Sequence, residues 1–233
     1  MTLPTINTPT YELTVPSTKE KITYRPFLVK EEKILLTAME TGGDGDMVLA
    51  LKQIVNNCLQ GEINIDKLAT FDLEYIFLNL RSKSVGEVAT VNVTCPDDEE
   101  TQVSVEIPLD DIKVVFPEGH DSHITLTDTI GLTMKYPDFT LASVTKETNT
   151  EYLFALIKGC IDQIIDGETV HERIDFSDEE LDVFLDSLNS KQLEGVQTFF
   201  ETMPKLRHEI TVTNPKTKKK NKVILEGLDA FFV

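Results

Sequence analysis

The sequence predicts an α+β fold: a mostly helical body with a β-hairpin at its N-terminal end and two further β-hairpin units, one in each half. Two observations predict it. Apolar residues recur every three or four positions in stretches beginning at Val29, Met47, Thr70, Tyr152, Asp178 and Lys191, the spacing of one helical face. Strict alternation marks Tyr11–Val15, Lys21–Arg25, Val85–Ile107 and Ile210–Leu225, the spacing of half-buried strands. This reading divides the chain into an N-terminal hairpin arm (residues 1–27), a helical unit with the first hairpin (28–116), connecting short strands (117–150) and a helical unit with the second hairpin (151–233).

In chain order, Pro16-Ser17-Thr18-Lys19 supplies the turn of the first hairpin, and Pro26, which has no backbone donor, stops its ladder. Leu28, Ile34, Leu35, Ala38 and Met39 then share a helical face, and the glycines of Thr41-Gly42-Gly43-Asp44-Gly45-Asp46 predict a loop. A second helix carries Met47, Leu51, Ile54, Val55 and Cys58 and closes at Gly61, where positive φ costs least. A third spans about Thr70 to Arg81 with Leu73, Ile76, Phe77 and Leu80 as its stripe. Val91 and Val93 lead into Cys95-Pro96-Asp97-Asp98-Glu99-Glu100, and Val103, Val105 and Ile107 lead out. Ile124–Leu126 and Ile130–Met134 read as short strands. The stripe Tyr152, Leu153, Leu156, Ile157, Cys160, Ile161, Ile164 and Ile165 predicts one long helix ended by Asp166-Gly167. Ser177 and Glu180 form a capping box for the next helix, and another runs from about Lys191 to Met203, before Pro204.

The two alternating regions echo each other. Val93-Thr94-Cys95-Pro96 matches Val212-Thr213-Asn214-Pro215, and each hairpin returns to Leu-Asp, at Leu109-Asp110 and Leu228-Asp229. Upstream, Leu80-Arg81 matches Leu206-Arg207, and Gly61-Glu62 matches Gly167-Glu168. This is either a divergent internal duplication of a helical unit bearing a hairpin or the coincidence of a common pattern.

The chain of 233 residues has 22 Lys and Arg against 40 Asp and Glu, a formal net charge of -18. That field repels phosphate backbones, so nucleic acid is not an expected partner, while a basic protein surface is compatible with it. Apolar runs such as Ala155-Leu156-Ile157 are too short to cross a bilayer, and Met1–Thr5 lacks the basic and apolar regions of a signal peptide. Cys58, Cys95 and Cys160 form no short-range pattern, as expected of a reducing cytosol.

No constellation for chemistry emerges, and no enzyme activity, metal or cofactor is expected. Cys95-Pro96-Asp97-Asp98 stands where a zinc ribbon has Cys-Pro-x-Cys, with Asn214-Pro215-Lys216-Thr217 as the facing knuckle. Only one thiol is left for a tetrahedral site, so the two units read as degenerate zinc-ribbon-like hairpins. His120-Asp121-Ser122-His123 gathers two imidazoles and a carboxylate in a loop but has no third partner nearby. His171 and His208 are isolated, and no nucleophile elbow or phosphate loop is present. Two charge clusters remain: Asp97, Asp98, Glu99 and Glu100 at one hairpin tip, and Lys216, Lys218, Lys219, Lys220 and Lys222 at the other. They read either as solvated loops or as an interface that steers association, with a second copy head-to-tail or with partners of opposite charge.

Tyr11–Thr18 followed by Tyr24-Arg25-Pro26-Phe27-Leu28-Val29-Lys30-Glu31-Glu32-Lys33 resembles the opening of the baseplate hub assembly proteins of T-even-type contractile-tailed phages. Leu80–Glu87, Leu206–Glu209 and Leu225–Leu228 are similar to the same family, so the likeness spans nearly the whole chain. Relatives with Cys-Pro-x-Cys knuckles differ from this chain at those positions. The resemblance implies a non-enzymatic phage protein, made in the bacterial host cytoplasm, that helps build the baseplate hub or stays in the virion tail as a minor component. Its expected partners are other hub or tail proteins; the alternative is a binding adaptor unrelated to virions.

Overall fold

A computed structural model describes residues 7–41, 44–61, 63–142 and 149–231. It divides into two units: Met1–Val115 with Lys205–Val233, and Phe116–Pro204. The chain leaves the first unit and re-enters it on neighbouring strands, because Lys113–Val115 pairs antiparallel with the start of Lys205–Thr213.

In the first unit, β1 (Tyr11–Thr14) and β2 (Lys21–Tyr24) form the expected hairpin, and a two-residue β3 (Leu59–Gln60) pairs with β2. Helices α1 (Val29–Thr41), α2 (Asp44–Cys58) and α3 (Thr70–Ser84) follow. The glycine loop expected at Thr41–Asp46 lies partly outside the described residues, and Asp44 already opens α2. The start of α1 shows why Tyr24–Lys33 has its composition. Glu31 is fully buried; its carboxylate accepts from Arg25 (3.0 and 3.4 Å) and from the Leu28 N–H (2.9 Å), an orphan donor at the helix start. Arg25 also donates to the carbonyl of Asn57 at 2.9 Å, so one guanidinium ties β2, α1 and α2 together. Burial alone would raise the Glu31 carboxyl, but these hydrogen bonds outweigh it and hold it below the usual range.

Two long hairpins complete the unit. β4 (Val88–Thr94) pairs with β5 (Gln102–Pro108), and β6 (Lys113–Val115) follows. In the second unit, β7 (His123–Thr125), β8 (Ile130–Met134), β9 (Ile161–Asp166) and β10 (Thr169–Glu172) form an antiparallel sheet in the order β10-β9-β8-β7. Its helices are α4 (Phe139–Ala142), α5 (Asn149–Cys160), α6 (Asp178–Asp186) and α7 (Ser190–Thr202). Leu132, Met134, Ile157, Ile161, Leu181 and Val196 bring sheet and helices into one core. Ser177 and Glu180 make the expected capping box, and Asn189 with Gln192 makes another. Back in the first unit, β11 (Lys205–Thr213) pairs with β12 (Lys220–Glu226) to give a sheet ordered β12-β11-β6. No helix among the described residues is long and apolar enough to cross a membrane.

The expectation of a mostly helical body with zinc-ribbon-like units is overturned: among the described residues, strands are distributed over four antiparallel sheets, three in the first unit and one in the second. The largest difference falls at Ile161–Ile165. The stripe continued from Tyr152 leads out of α5 into β9, which pairs with β8 on one side and β10 on the other. Short apolar runs satisfy helical and strand periods alike, and a strand paired on both sides gains two ladders. Gly167 (φ 59°) supplies the turn into β10. The upstream part of the internal echo therefore fails, since Gly61 follows α2 and β3 whereas Gly167 turns a hairpin. The hairpin part persists, with both hairpins ending on a 3-10 turn that begins at Leu109 or Leu228.

Candidate functional site: the hairpin knuckles

Three hairpin tips share one backbone design. In Val15–Lys19, Cys95–Glu99 and Asn214–Lys218, proline is second and the fifth N–H bonds back to the first carbonyl, at 3.0, 2.9 and 2.9 Å. The fifth residue is left-handed each time: Lys19 (φ 61°), Glu99 (55°) and Lys218 (63°), the non-glycine positive-φ residues among those described.

What differs is the side chain that anchors each knuckle. The Ser17 N–H donates to Asp72 Oδ1 at 2.9 Å, and the Ser17 hydroxyl donates to Oδ2 of the same carboxylate, which is buried on α3. The other two knuckles face each other. Asp97 Oδ1 accepts from the side-chain amides of Asn214 (2.8 Å) and Asn221 (2.9 Å), and Oδ2 accepts from the Thr217 hydroxyl. Asn214 is fully buried, and its own oxygen accepts from the N–H groups of Lys216 (2.8 Å) and Thr217 (3.2 Å). Asp98 turns back into its own loop and accepts from the Thr101 N–H (3.0 Å) and hydroxyl (2.6 Å). Donation by Thr217 and Asn214 holds the Asp97 carboxyl below its ordinary range, and donation by Thr101 does the same for Asp98. Burial, then the two neighbouring carboxylates, pushes the Cys95 thiol up.

Cys95, Asp98, Asn214 and Thr217 occupy the places a zinc ribbon gives to its ligands. One thiol raised in pKa, a carboxylate engaged by Thr101, and two neutral side chains hydrogen-bonded to Asp97 do not make a zinc donor set. A polar clasp built on Asp97 joins the knuckles instead.

The charge clusters are placed on the same two tips. Glu100 pairs with Lys216 across them at 3.1 Å, and Lys222 pairs with Glu209 along its own hairpin at 2.8 Å. Glu99, Lys218, Lys219 and Lys220 are exposed. The histidine loop separates: His120 stacks on Tyr136 (ring centroids 5.6 Å apart) and lies 5.1 Å from Phe199, whereas the His123 ring lies over Gly131. The His120 Nδ1–H donates to the Thr202 hydroxyl oxygen at 3.0 Å, because that hydroxyl already donates to the Thr198 carbonyl. Among the described residues, no three His, Cys, Asp or Glu side chains gather as metal ligands.

Sequence reasoning missed two features. The serine-to-Asp72 anchor repeats the knuckle design a third time, and the signal was available as Pro16 one residue after an alternating strand. An apolar groove of about 480 Å³ among α1, α2, α3 and the last 3-10 turn is lined by Leu35, Met39, Met47, Leu51 and Phe77, with Arg81 and Asp229 also at its wall. No pattern within a single element reveals it.

No curated protein and no solved structure matches the chain. The family model described as T4 bacteriophage base plate protein matches residues 8–233, which takes in all three knuckles and both units. The chain belongs to that family, a T4-type phage baseplate protein.

Proposed function

We propose that this baseplate protein acts without catalysis, by non-covalent contacts that build or complete the central hub of the tail, in the host cytoplasm during assembly or as a minor component of the finished tail. The observation that carries this reading is the family match across residues 8–233. The knuckles support it physically: each tip is held by buried or multiply bonded side chains, which fixes the exposed residues beside it for recognition. The facing tips, Asp97 to Glu100 and Lys216 to Lys222, form the proposed contact surface. Asp97, Asp98 and Glu100 are engaged internally, so Lys218, Lys219 and Lys220 supply its cationic part.

Deleting the gene is expected to arrest hub assembly, and intact hubs from the deletion strain overturn the proposal. Mass spectrometry of purified virions separates its two forms, stoichiometric peptides marking a subunit and absence a transient factor. The triple change K218E/K219E/K220E is expected to weaken co-purification of hub proteins at low salt and flatten its salt dependence. Unchanged affinity at low salt removes the lysines from the interface.

A further inference from the structure

We propose that the protein self-associates head-to-tail, with β12 of one copy adding antiparallel to β10 of a second. The sheet orders leave β10 and β12 at edges, and every residue of β10 is exposed. An edge strand offers a row of backbone donors and acceptors and is a template for pairing with another chain. β10 presents Val170, 48 % exposed, and Glu172 on one face. β12 presents Lys220, Lys222 and Ile224 on its solvent face, with Ile224 47 % exposed. In one antiparallel register Ile224 stands opposite Val170 while Lys222 stands opposite Glu172, an apolar pair beside an ion pair. The tip with Lys218, Lys219 and Lys220 then reaches past the end of β10, toward the 3-10 turn Arg173–Asp175 with Ile174, 93 % exposed, and the acidic start of α6 at Asp178 and Glu179.

Charge favours a second copy as the occupant. Residues 116–204 hold 18 of the chain's 40 acidic residues but only 5 of its 22 basic ones, whereas residues 216–222 hold five lysines and no acid. The present partners all lie at the surface: Lys222 and Glu209 are 76 % and 49 % exposed, and Glu172 accepts a hydrogen bond from Gln163 at 2.9 Å and shares an exposed capping box with Asp175. Because the two surfaces differ, the contact is heterologous and leads to rings or open chains, not a closed two-fold dimer.

Sedimentation velocity of the full chain across a concentration series, at low and high salt, tests this independently of any role in tail assembly. Association is expected to rise with concentration and fall with salt. E172K alone and K222E alone are each expected to weaken it about tenfold, and the double swap E172K/K222E to restore it. Both sites are exposed, and circular dichroism verifies folding of each variant. Slower exchange of the Val170 amide in the associated state is the expected signature of strand addition, the Glu172 amide being bonded to Asp175 already. A monomer at every concentration, an association indifferent to both reversals, or a double swap no better than the single changes overturns the proposal.

Discussion

Replacing Asn214 by Ala tests the clasp most directly. The side chain is fully buried, donates to Asp97 at 2.8 Å and accepts the N–H groups of Lys216 and Thr217. Those two residues are exposed, so water takes over much of what their N–H groups lose. The bond to the carboxylate is different, because a hydrogen bond to a charged group contributes about 1.5–3 kcal/mol net. Adding a small term for lost packing, N214A is expected to cost about 2–3 kcal/mol. At about 2–4 °C per kcal/mol for a chain of this size, that lowers Tm by roughly 4–12 °C. Urea unfolding measures the energy, and hydrogen exchange at the β4–β5 and β11–β12 tips places the loss. N214D sharpens the test: it can still accept the two N–H groups but sets a second carboxylate against Asp97. Its deficit is expected to exceed that of N214A at neutral pH and to shrink as acid neutralises the pair. A cost for N214A below about 0.5 kcal/mol, the range of ordinary surface changes, refutes the clasp.

Three further outcomes are expected. R25M leaves the buried Glu31 carboxylate without its guanidinium and costs about 3–5 kcal/mol by urea unfolding, with the loss centred on α1. Glu74 is pushed up to about 7 by burial and then by Asp229, so its native form holds a proton that the unfolded chain releases near pH 4. Stability from this group is complete below that pH and is lost as pH rises through about 7; E74Q is expected to flatten the dependence and to be the more stable protein at pH 8. The depressed carboxyls of Asp97 and Asp98 have the opposite sign: their contribution is present above the ordinary carboxylate range and is lost as pH falls through their lowered values, seen as rising tip exchange in acid.

Elements whose burial is one-sided were legible in the sequence. The alternation of β4, buried at Ala89, Val91 and Val93, and the capping box at Ser177 both survive in the structure, because each depends on neighbours along the chain. β3 and β6 were not legible, since two or three residues become a strand only through a partner distant in sequence. β9 failed for another reason: Ile161–Ile165 fits both periods, and the deciding signal was the Asp166-Gly167 turn between Ile165 and Val170 rather than the stripe itself. At the knuckles the sequence set two tips facing each other as degenerate zinc-ribbon-like units but did not reveal the bond that joins them. Zinc positions drew attention to Cys95 and Asp98, whereas the joining residue is Asp97, the variable x of the motif, assisted by Asn221 on the returning strand. Charge was misleading for the same reason, because crowded carboxylates look repulsive until their donors are located.

The left-handed residues at the tips bear on function. A residue with a side chain at φ near +60° costs about 1 kcal/mol relative to glycine, and turns of this kind ordinarily take glycine. This chain accepts that cost three times and places an exposed charge there each time, at Lys19, Glu99 and Lys218. At Lys19 the ammonium turns back to donate to the Pro16 carbonyl of its own turn, but Glu99 and Lys218 are exposed, and glycine would satisfy the same backbone bonds there. Strain retained against an easy remedy points to a use for the side chain. K218G therefore separates stability from recognition. It is expected to leave Tm unchanged or slightly higher while weakening co-purification with hub proteins at low salt. A K218G protein that binds as tightly as the wild type would show that the charge at this turn has no part in recognition, leaving Lys219 and Lys220 as the cations to test.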